Sequence, residues 1–195
     1  MKRGFLITLE GPEGSGKSSQ AKRLVQALRQ AGRSAIFICD PGTTSLGQAL
    51  RRVLLHDHRQ RLSPLAEAML FIAGRIQLVE ERILPALRAG KIVVCDRFHE
   101  STMAYQGYGG QLDVRWLDQV GRAAINRVMP NLTLLLDVPP SVGFSRVKGQ
   151  RDRMEAKALA FHHRVRRGYL QLAKREPRRI VVIDGTQSPR DVARP

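Results

Sequence analysis

Gly11-Pro12-Glu13-Gly14-Ser15-Gly16-Lys17-Ser18 fits the phosphate-binding loop pattern G-x-x-x-x-G-K-[ST]. Its flanks fit as well. Residues 5–9 (Phe-Leu-Ile-Thr-Leu) read as a buried strand. Residues 17–30 have helical spacing, with Leu24, Val25 and Leu28 on one side. Glycines let backbone N–H groups turn inward around phosphate oxygens, and a helix start adds a positive dipole end. Lys17 can reach β- and γ-phosphates, and Ser18 can ligate Mg²⁺ through its hydroxyl. This stretch implies a nucleoside triphosphate site built from Gly11, Pro12, Glu13, Gly14, Ser15, Gly16, Lys17 and Ser18.

Outward from that loop, strand and helix patterns alternate. Residues 5–9, 35–39, 92–95, 132–136 and 180–183 are short, nearly continuous apolar runs, as strands buried on both faces should be. Helical stretches lie between them. The order predicts an α/β fold: a five-stranded parallel sheet with helices on both faces. Ligands of such folds sit at the carboxyl ends of the strands. The segments to search are therefore the phosphate loop, Asp40-Pro41-Gly42-Thr43-Thr44, Asp96-Arg97-Phe98, Asp137 and Asp184-Gly185-Thr186.

The chain has 195 residues, enough for one domain with a full core, and 43% of them are hydrophobic. No repeat or linker divides it. No apolar run approaches the ~20 residues of a membrane span. The sequence enters a strand at once, so no signal peptide is expected and the cytoplasm is. Net charge is +16, from 33 basic and 17 acidic residues. Nucleic acid could use such an excess, but Arg51-Arg52, Arg151 to Arg153, Arg164 to Arg167 and Arg178-Arg179 are scattered without interleaved aromatics. A solvated Arg-rich surface accounts for them. Cys39 and Cys95 each end a strand and have no metal-type spacing. Reduced thiols are expected, their sulfurs close if the strands are neighbours.

Residues 64–87 form the clearest amphipathic helix, with Leu65, Met69, Ile72, Ile76, Val79, Ile83 and Leu87 on one stripe. Phe71 and Arg75 share a face about 100° away from it. That face could hold a flat base, the ring stacking and the guanidinium bonding a carbonyl, or it could be a dimer contact. Residues 142–153 are rich in charge and precede a second amphipathic helix over 154–174, the pattern of a lid over a triphosphate.

Taken in order, these motifs resemble the thymidylate kinase family over nearly the whole chain, and the fold implied is that of the P-loop NTPases. The carriers are Leu9 to Ser18, Asp40-Pro41-Gly42-Thr43-Thr44-Ser45-Leu46-Gly47, the Phe-x-x-x-Arg of Phe71 to Arg75, Asp152-Arg153-Met154-Glu155 and Asp184-Gly185-Thr186-Gln187. Most specific is Asp96-Arg97-Phe98-His99-Glu100-Ser101-Thr102-Met103-Ala104-Tyr105-Gln106-Gly107.

The resemblance implies phosphoryl transfer from ATP to dTMP with Mg²⁺, a single kinase domain over 1–195, a lid over 143–155 and a homodimer. It implies that Phe71 stacks on thymine, Arg75 bonds a ring carbonyl, and Thr102 and Gln106 face the base edge or the sugar. Tyr105 would exclude a ribose 2′-hydroxyl, and Glu13 would meet the 3′-hydroxyl. Asp40 and Ser101 would join the same pocket. Arg97 would bind the acceptor phosphate, and Ser18 and Asp96 would hold the metal, Asp96 through water. Arg146, Thr186 and Gln187 would flank adenine. The phosphate loop has no Arg, so Lys17, Arg97 and the lid residues Arg151 and Arg153 are the expected catalytic cations, the bacterial arrangement.

The chain departs from the family where Cys39-Asp40-Pro41-Gly42-Thr43-Thr44 replaces the usual Arg-Glu-Pro-Gly-Gly-Thr. It departs again at Gly74, where Asp is frequent, and after Ser188-Pro189-Arg190-Asp191, where a last helix is expected. Phe71, Arg75 and Tyr105 argue against another nucleoside monophosphate as acceptor. A nucleic-acid-binding ATPase drawing on the basic charge is the reading from a different class.

Overall fold

The structure is a computed structural model that describes residues 4–57, 61–147, 149–150 and 152–193. Five strands, β1 (Phe5–Glu10), β2 (Ala35–Cys39), β3 (Ile92–Asp96), β4 (Leu132–Asp137) and β5 (Ile180–Asp184), form one sheet in the order β2-β3-β1-β4-β5. Every pairing is parallel. The expected architecture is therefore observed. Four strands run one residue further than their apolar runs, so Glu10, Asp96, Asp137 and Asp184 belong to the final rungs. β1 lies between β3 and β4, so the phosphate loop leaves the sheet where its neighbours diverge, the usual binding crevice.

Alternate side chains of β1 serve two cores. Ile7 and Leu9 pack with Ala21 and Val25 of α1 (Lys17–Gln30), Val94 and Leu136. Leu6 faces the other way, with Ile38, Leu78, Val79, Ile83, Val93 and Phe98. β5 is an exception to the expectation of two buried faces. It is an edge strand, and Val181 and Val182 are 45% and 46% exposed. The expected helix start after it is a turn: Val192 N–H donates to the Ser188 carbonyl at 3.0 Å and the Ser188 hydroxyl to Asp191.

Between β2 and β3 run α2 (Ser45–Arg51), α3 (Pro64–Leu78) and α4 (Leu84–Arg88). A π-type turn over Val79–Ile83 joins α3 to α4, so the predicted 64–87 helix is one continuous run. Ser63 caps it by accepting from Ala66 N–H, and Pro64 occupies the first turn. Its stripe is imperfect, because Leu65 is 47% exposed. The opposite surprise is Arg75, only 2% exposed. The Phe71–Arg75 face is turned inward, where Arg75 meets Asp40 after β2 and Thr102 after β3, while α2 packs beside it. A Cβ on Gly74 would lie 3.2 Å from Leu50 Cδ1 of α2.

After β3 come α5 (His99–Thr102), which continues as a π-type run over Met103–Gly109, and α6 (Val114–Ala124). After β4 come α7 (Pro140–Arg146) and α8 (Leu159–Arg175). α8 begins later than the predicted residue 154. Asp152 Oδ1 accepts from Met154 and Glu155 N–H at 2.8 and 2.9 Å and so caps one turn, but Ala158, with ψ 149°, is extended and separates that turn from α8. The first part of the predicted 143–155 lid is likewise not loop but the end of α7. Cys39 and Cys95 are free thiols. Their strands are neighbours, but Cys95 pairs with Ile38, so the one-residue offset sends the two sulfurs to opposite faces. Among the described residues no helix is long and apolar enough to cross a membrane.

Candidate active site

The phosphate loop turns on Gly14 and Gly16, whose φ of 66° and 88° lie in the left-handed region. Gly14 is also squeezed: a Cβ there would meet the Gly143 carbonyl oxygen at 2.0 Å. α7 therefore lies directly against the loop, which only glycine on both sides permits. Lys17 Nζ folds back and donates to the Pro12 carbonyl at 2.7 Å and Ser15 Oγ at 3.2 Å. Burial, with Arg97 nearby, lowers the Lys17 ammonium to about 8, against the pull of Glu13 and Asp96. The Ser18 hydroxyl donates to Asp96 Oδ2. Asp96 Oδ1 is buried and unpartnered.

β3 delivers Arg97 into this crevice in a conformation unusual for a side-chain-bearing residue, φ 66°. Such a backbone costs on the order of 1–3 kcal/mol and needs its surroundings to hold it. Arg97 N–H donates to the Leu9 carbonyl at 3.0 Å, and Phe98 N–H to Glu10 Oε1 at 2.7 Å. The guanidinium is fixed on both nitrogens. Nη2 reaches Glu13 Oε1 at 2.9 Å and the Tyr105 hydroxyl oxygen at 3.2 Å. Nη1 reaches Ser101 Oγ at 3.2 Å and the Tyr169 oxygen at 3.3 Å. Tyr105 OH donates to Glu13 Oε1 at 2.6 Å. Behind them the Glu10 carboxylate, fully buried and near Glu100, is pushed up to about 7 by burial first and that charge second.

The far wall is the Phe71–Arg75 face. Arg75 Nε donates to Asp40 and Nη1 to Thr102 Oγ1 at 2.8 Å. Both partners are buried, which is why so large a charged side chain tolerates its position. A cavity of about 320 Å³ runs from the phosphate loop to this wall. It is lined by Glu13, Lys17, Ser18, Asp40, Phe71, Arg75, Asp96, Arg97, Ser101, Thr102, Tyr105 and Gln106.

A profile of known families matches residues 9–194 to the one described as thymidylate kinase. The chain belongs to the thymidylate kinase family. It is 50% identical to a thymidylate kinase of a Synechococcus species over 189 residues, 97% of this chain and 90% of that one. It is 46% identical to the thymidylate kinase of Solidesulfovibrio magneticus over 198 residues, 97% of this chain and 95% of that one. Among solved structures, the thymidylate kinase of Ehrlichia chaffeensis superposes with a TM-score of 0.80 at 34% identity, covering 98% of this chain and 94% of that one.

The residues that the thymidylate kinase resemblance singled out for the acceptor thus line one cavity, and those it singled out for adenine meet elsewhere. Arg146 donates to the Gly185 and Thr186 carbonyls at 2.7 and 2.8 Å, beside Gln187. The lid is less complete. Arg151 lies outside the described residues. Arg153 does not line the cavity; its Nε donates to the Leu54 carbonyl at 2.9 Å and its Nη2 to Glu67 at 3.4 Å. Asp137 does not join the site, because Arg166 holds it with two bonds of 2.8 Å.

Sequence reading missed Arg51, counted there as surface charge. It lines the cavity and donates to the Pro41 carbonyl at 3.1 Å. It supplies a cation beside Cys39, where thymidylate kinases usually have Arg. The neighbouring Thr43 ties the loop by accepting from Cys39 N–H at 2.8 Å and donating to its carbonyl at 3.0 Å. Nothing local in the sequence marks Arg51; only its place at the end of α2, about two turns past the β2 loop, does.

A Mg²⁺ ion fits the donors present. Ser18 offers a hydroxyl and Asp96 a carboxylate with one oxygen unpartnered. No cluster of three or more His, Cys, Asp or Glu exists among the described residues, and Mg²⁺ on a nucleotide needs only one or two protein oxygens besides phosphates and water.

Proposed function

We propose that this chain transfers the γ-phosphoryl group of ATP to dTMP, giving dTDP and ADP, as one domain over residues 1–195 acting in the cytoplasm. The observation that carries this reading is the single cavity joining the phosphate loop to the Phe71–Arg75 wall, with Arg97 between them.

The acceptor is itself a phosphate, largely dianionic near neutral pH, so no general base is required. The work is to bring two anions into line and neutralise the charge that spreads in the transition state. Arg97 suits the acceptor phosphate, because Glu13, Tyr105, Ser101 and Tyr169 already hold its guanidinium and little reorganisation remains. Lys17 exchanges the Pro12 carbonyl for the β- and γ-phosphates. Arg153, and Arg151 with it, closes from the lid over the transferring group. Ser18 and Asp96 would hold Mg²⁺, which when bound neutralises charge on the β- and γ-phosphates.

Phe71 stacks on thymine and Arg75 bonds its carbonyl. Thr102 and Gln106 complete the edge. Glu13 meets the 3′-hydroxyl, and Tyr105, bonded to Glu13, fills the place a 2′-hydroxyl would need. Adenine lies between Arg146 and the Thr186–Gln187 loop. A homodimer is supported by exposed Leu46, Leu65 and Trp116 on α2, α3 and α6, where α3 packs against both of the others; sedimentation equilibrium distinguishes one chain from two.

The test is ADP formation from Mg-ATP with dTMP, dUMP, UMP, dCMP, dGMP or AMP as sole acceptor. Preference for dTMP is expected. Equal turnover with UMP would remove the role given to Tyr105, and equal turnover with AMP the base pocket.

A further inference from the structure

The side-chain amide of Gln106 makes one hydrogen bond within the described protein. Its Nε2 donates to Glu67 Oε1 at 3.0 Å. Glu67 is a buried residue of α3, and its oxygens also accept from Lys157 Nζ at 3.0 and 3.2 Å and from Arg153 Nη2 at 3.4 Å. A carboxylate gripped by two cations can only accept. Only the NH₂ end of the amide can meet it. The O/N choice in a glutamine amide is ordinarily a matter of network inference; here the chemistry of the neighbour decides it. The carbonyl end is therefore left for the cavity that Gln106 lines.

Arg75 completes the pattern. Its Nε is taken by Asp40 and its Nη1 by Thr102, one turn from Gln106 on the same helical run, so Nη2 remains as a donor. The wall thus offers one donor and one acceptor. Thymine presents O4 as acceptor beside N3–H as donor. Cytosine presents the reverse, an N4 amino donor beside an N3 acceptor.

We infer that Glu67 is a positioning residue for base choice: it locks the Gln106 amide with its carbonyl toward the base and thereby selects a ring carrying N–H beside a carbonyl over an amino-pyrimidine. This rests on the reading of the cavity as a dTMP site. A glutamine at position 67 can donate as well as accept, so the Gln106 amide becomes free to turn over.

The experiment compares kcat/KM for dTMP and dCMP in the unmutated protein, Glu67→Gln and Lys157→Ala, with circular dichroism melting as the check on folding. Glu67→Gln lowers the dTMP-to-dCMP ratio by about ten-fold or more, chiefly through the KM for dTMP. Lys157→Ala, which loosens the segment before α8 but leaves Glu67 an acceptor, keeps the ratio. An unchanged ratio in folded Glu67→Gln overturns the inference. So does an equal fall in Lys157→Ala, which would make Glu67 an anchor for that segment alone. The unmutated protein gives a second reading that needs no variant. 3-Methyl-dTMP has no N3–H to donate and competes at least about ten-fold more weakly than dTMP; equal competition overturns the inference. Absence of dTMP turnover in the unmutated protein defeats the functional reading itself, a separate outcome from a changed or unchanged ratio.

Discussion

Glu13 and Arg97 meet at 2.9 Å, an ion pair that ties the phosphate loop to the segment leaving β3. Burial works against the Glu13 carboxylate, but Arg97 and then Lys17 outweigh it and hold the group at about 2. The phosphate loop and the segment leaving β3 therefore share one permanent negative charge. That charge keeps the two cations from repelling each other before substrates arrive, and it aims Arg97 at the space between them.

Arg97→Ala removes the cation while leaving a cavity bounded by the same helices. Turnover, followed as ADP formed from ATP and dTMP, falls by about 10³-fold, the scale typical of an arginine that stabilises this transition state. Alanine keeps a Cβ and so keeps the strain of φ 66°, and the contacts of the guanidinium with Glu13, Tyr105, Ser101 and Tyr169 are lost. The melting temperature therefore falls, while the fold, held by the backbone bonds of residues 97 and 98, persists. Turnover at the unmutated rate would remove Arg97 from the mechanism.

Glu10 makes stability depend on pH in a defined window. Its folded value, about 7, is raised above the ordinary 4.5 of a glutamate by burial and by Glu100. A group with a raised folded value stabilises fully below its unfolded value and loses that stabilisation as pH rises through the folded one. Urea melts of the native protein and Glu10→Gln are thus expected to diverge between about pH 4.5 and 7, the native protein losing ground, and to run parallel above that. A constant gap across the window would show that Glu10 stays ionised.

Lys17 gives a second pH dependence, in binding. Its ammonium is lowered to about 8 in the ligand-free protein, by burial and then by Arg97. Above that pH the free protein loses the charge that ATP requires. The KM for ATP rises, approaching about ten-fold per pH unit, while kcat at saturating ATP holds because bound phosphates restore the proton. A KM that stays flat to pH 9.5 contradicts this.

Gly143 tests the contact between α7 and the phosphate loop. A Cβ there would sit 2.2 Å from the Glu13 carbonyl oxygen, a backbone atom that cannot step aside cheaply. Gly143→Ala is expected to raise the KM for ATP and lower the melting temperature together. An unchanged KM would mean that the loop and α7 separate without consequence for nucleotide binding.

How much of this could be read from the chain depended on the range of the interaction. The phosphate loop declares itself because strand, glycines, Lys17 and helix are contiguous. The five strands declare themselves because each is a short apolar run. Glu67 was only one more residue on a helix, since Gln106 and Lys157 lie 39 and 90 positions away. Glu10 gave no local sign of facing Glu100 and Ser101. The late start of α8 lies in the backbone of one residue, Ala158, which is extended between the turn capped by Asp152 and the helix, and apolar spacing does not register such a break. Exposure of β5 was hidden because an edge strand and a central strand can share the same apolar composition.

Whether one cavity hands a phosphoryl group from ATP to dTMP is decided by following label from γ-³²P-ATP in the presence of Mg²⁺ and dTMP. Label is expected in dTDP, with inorganic phosphate a minor product and none transferred when dTMP is left out. Label released as inorganic phosphate at the same rate with and without dTMP would contradict that transfer.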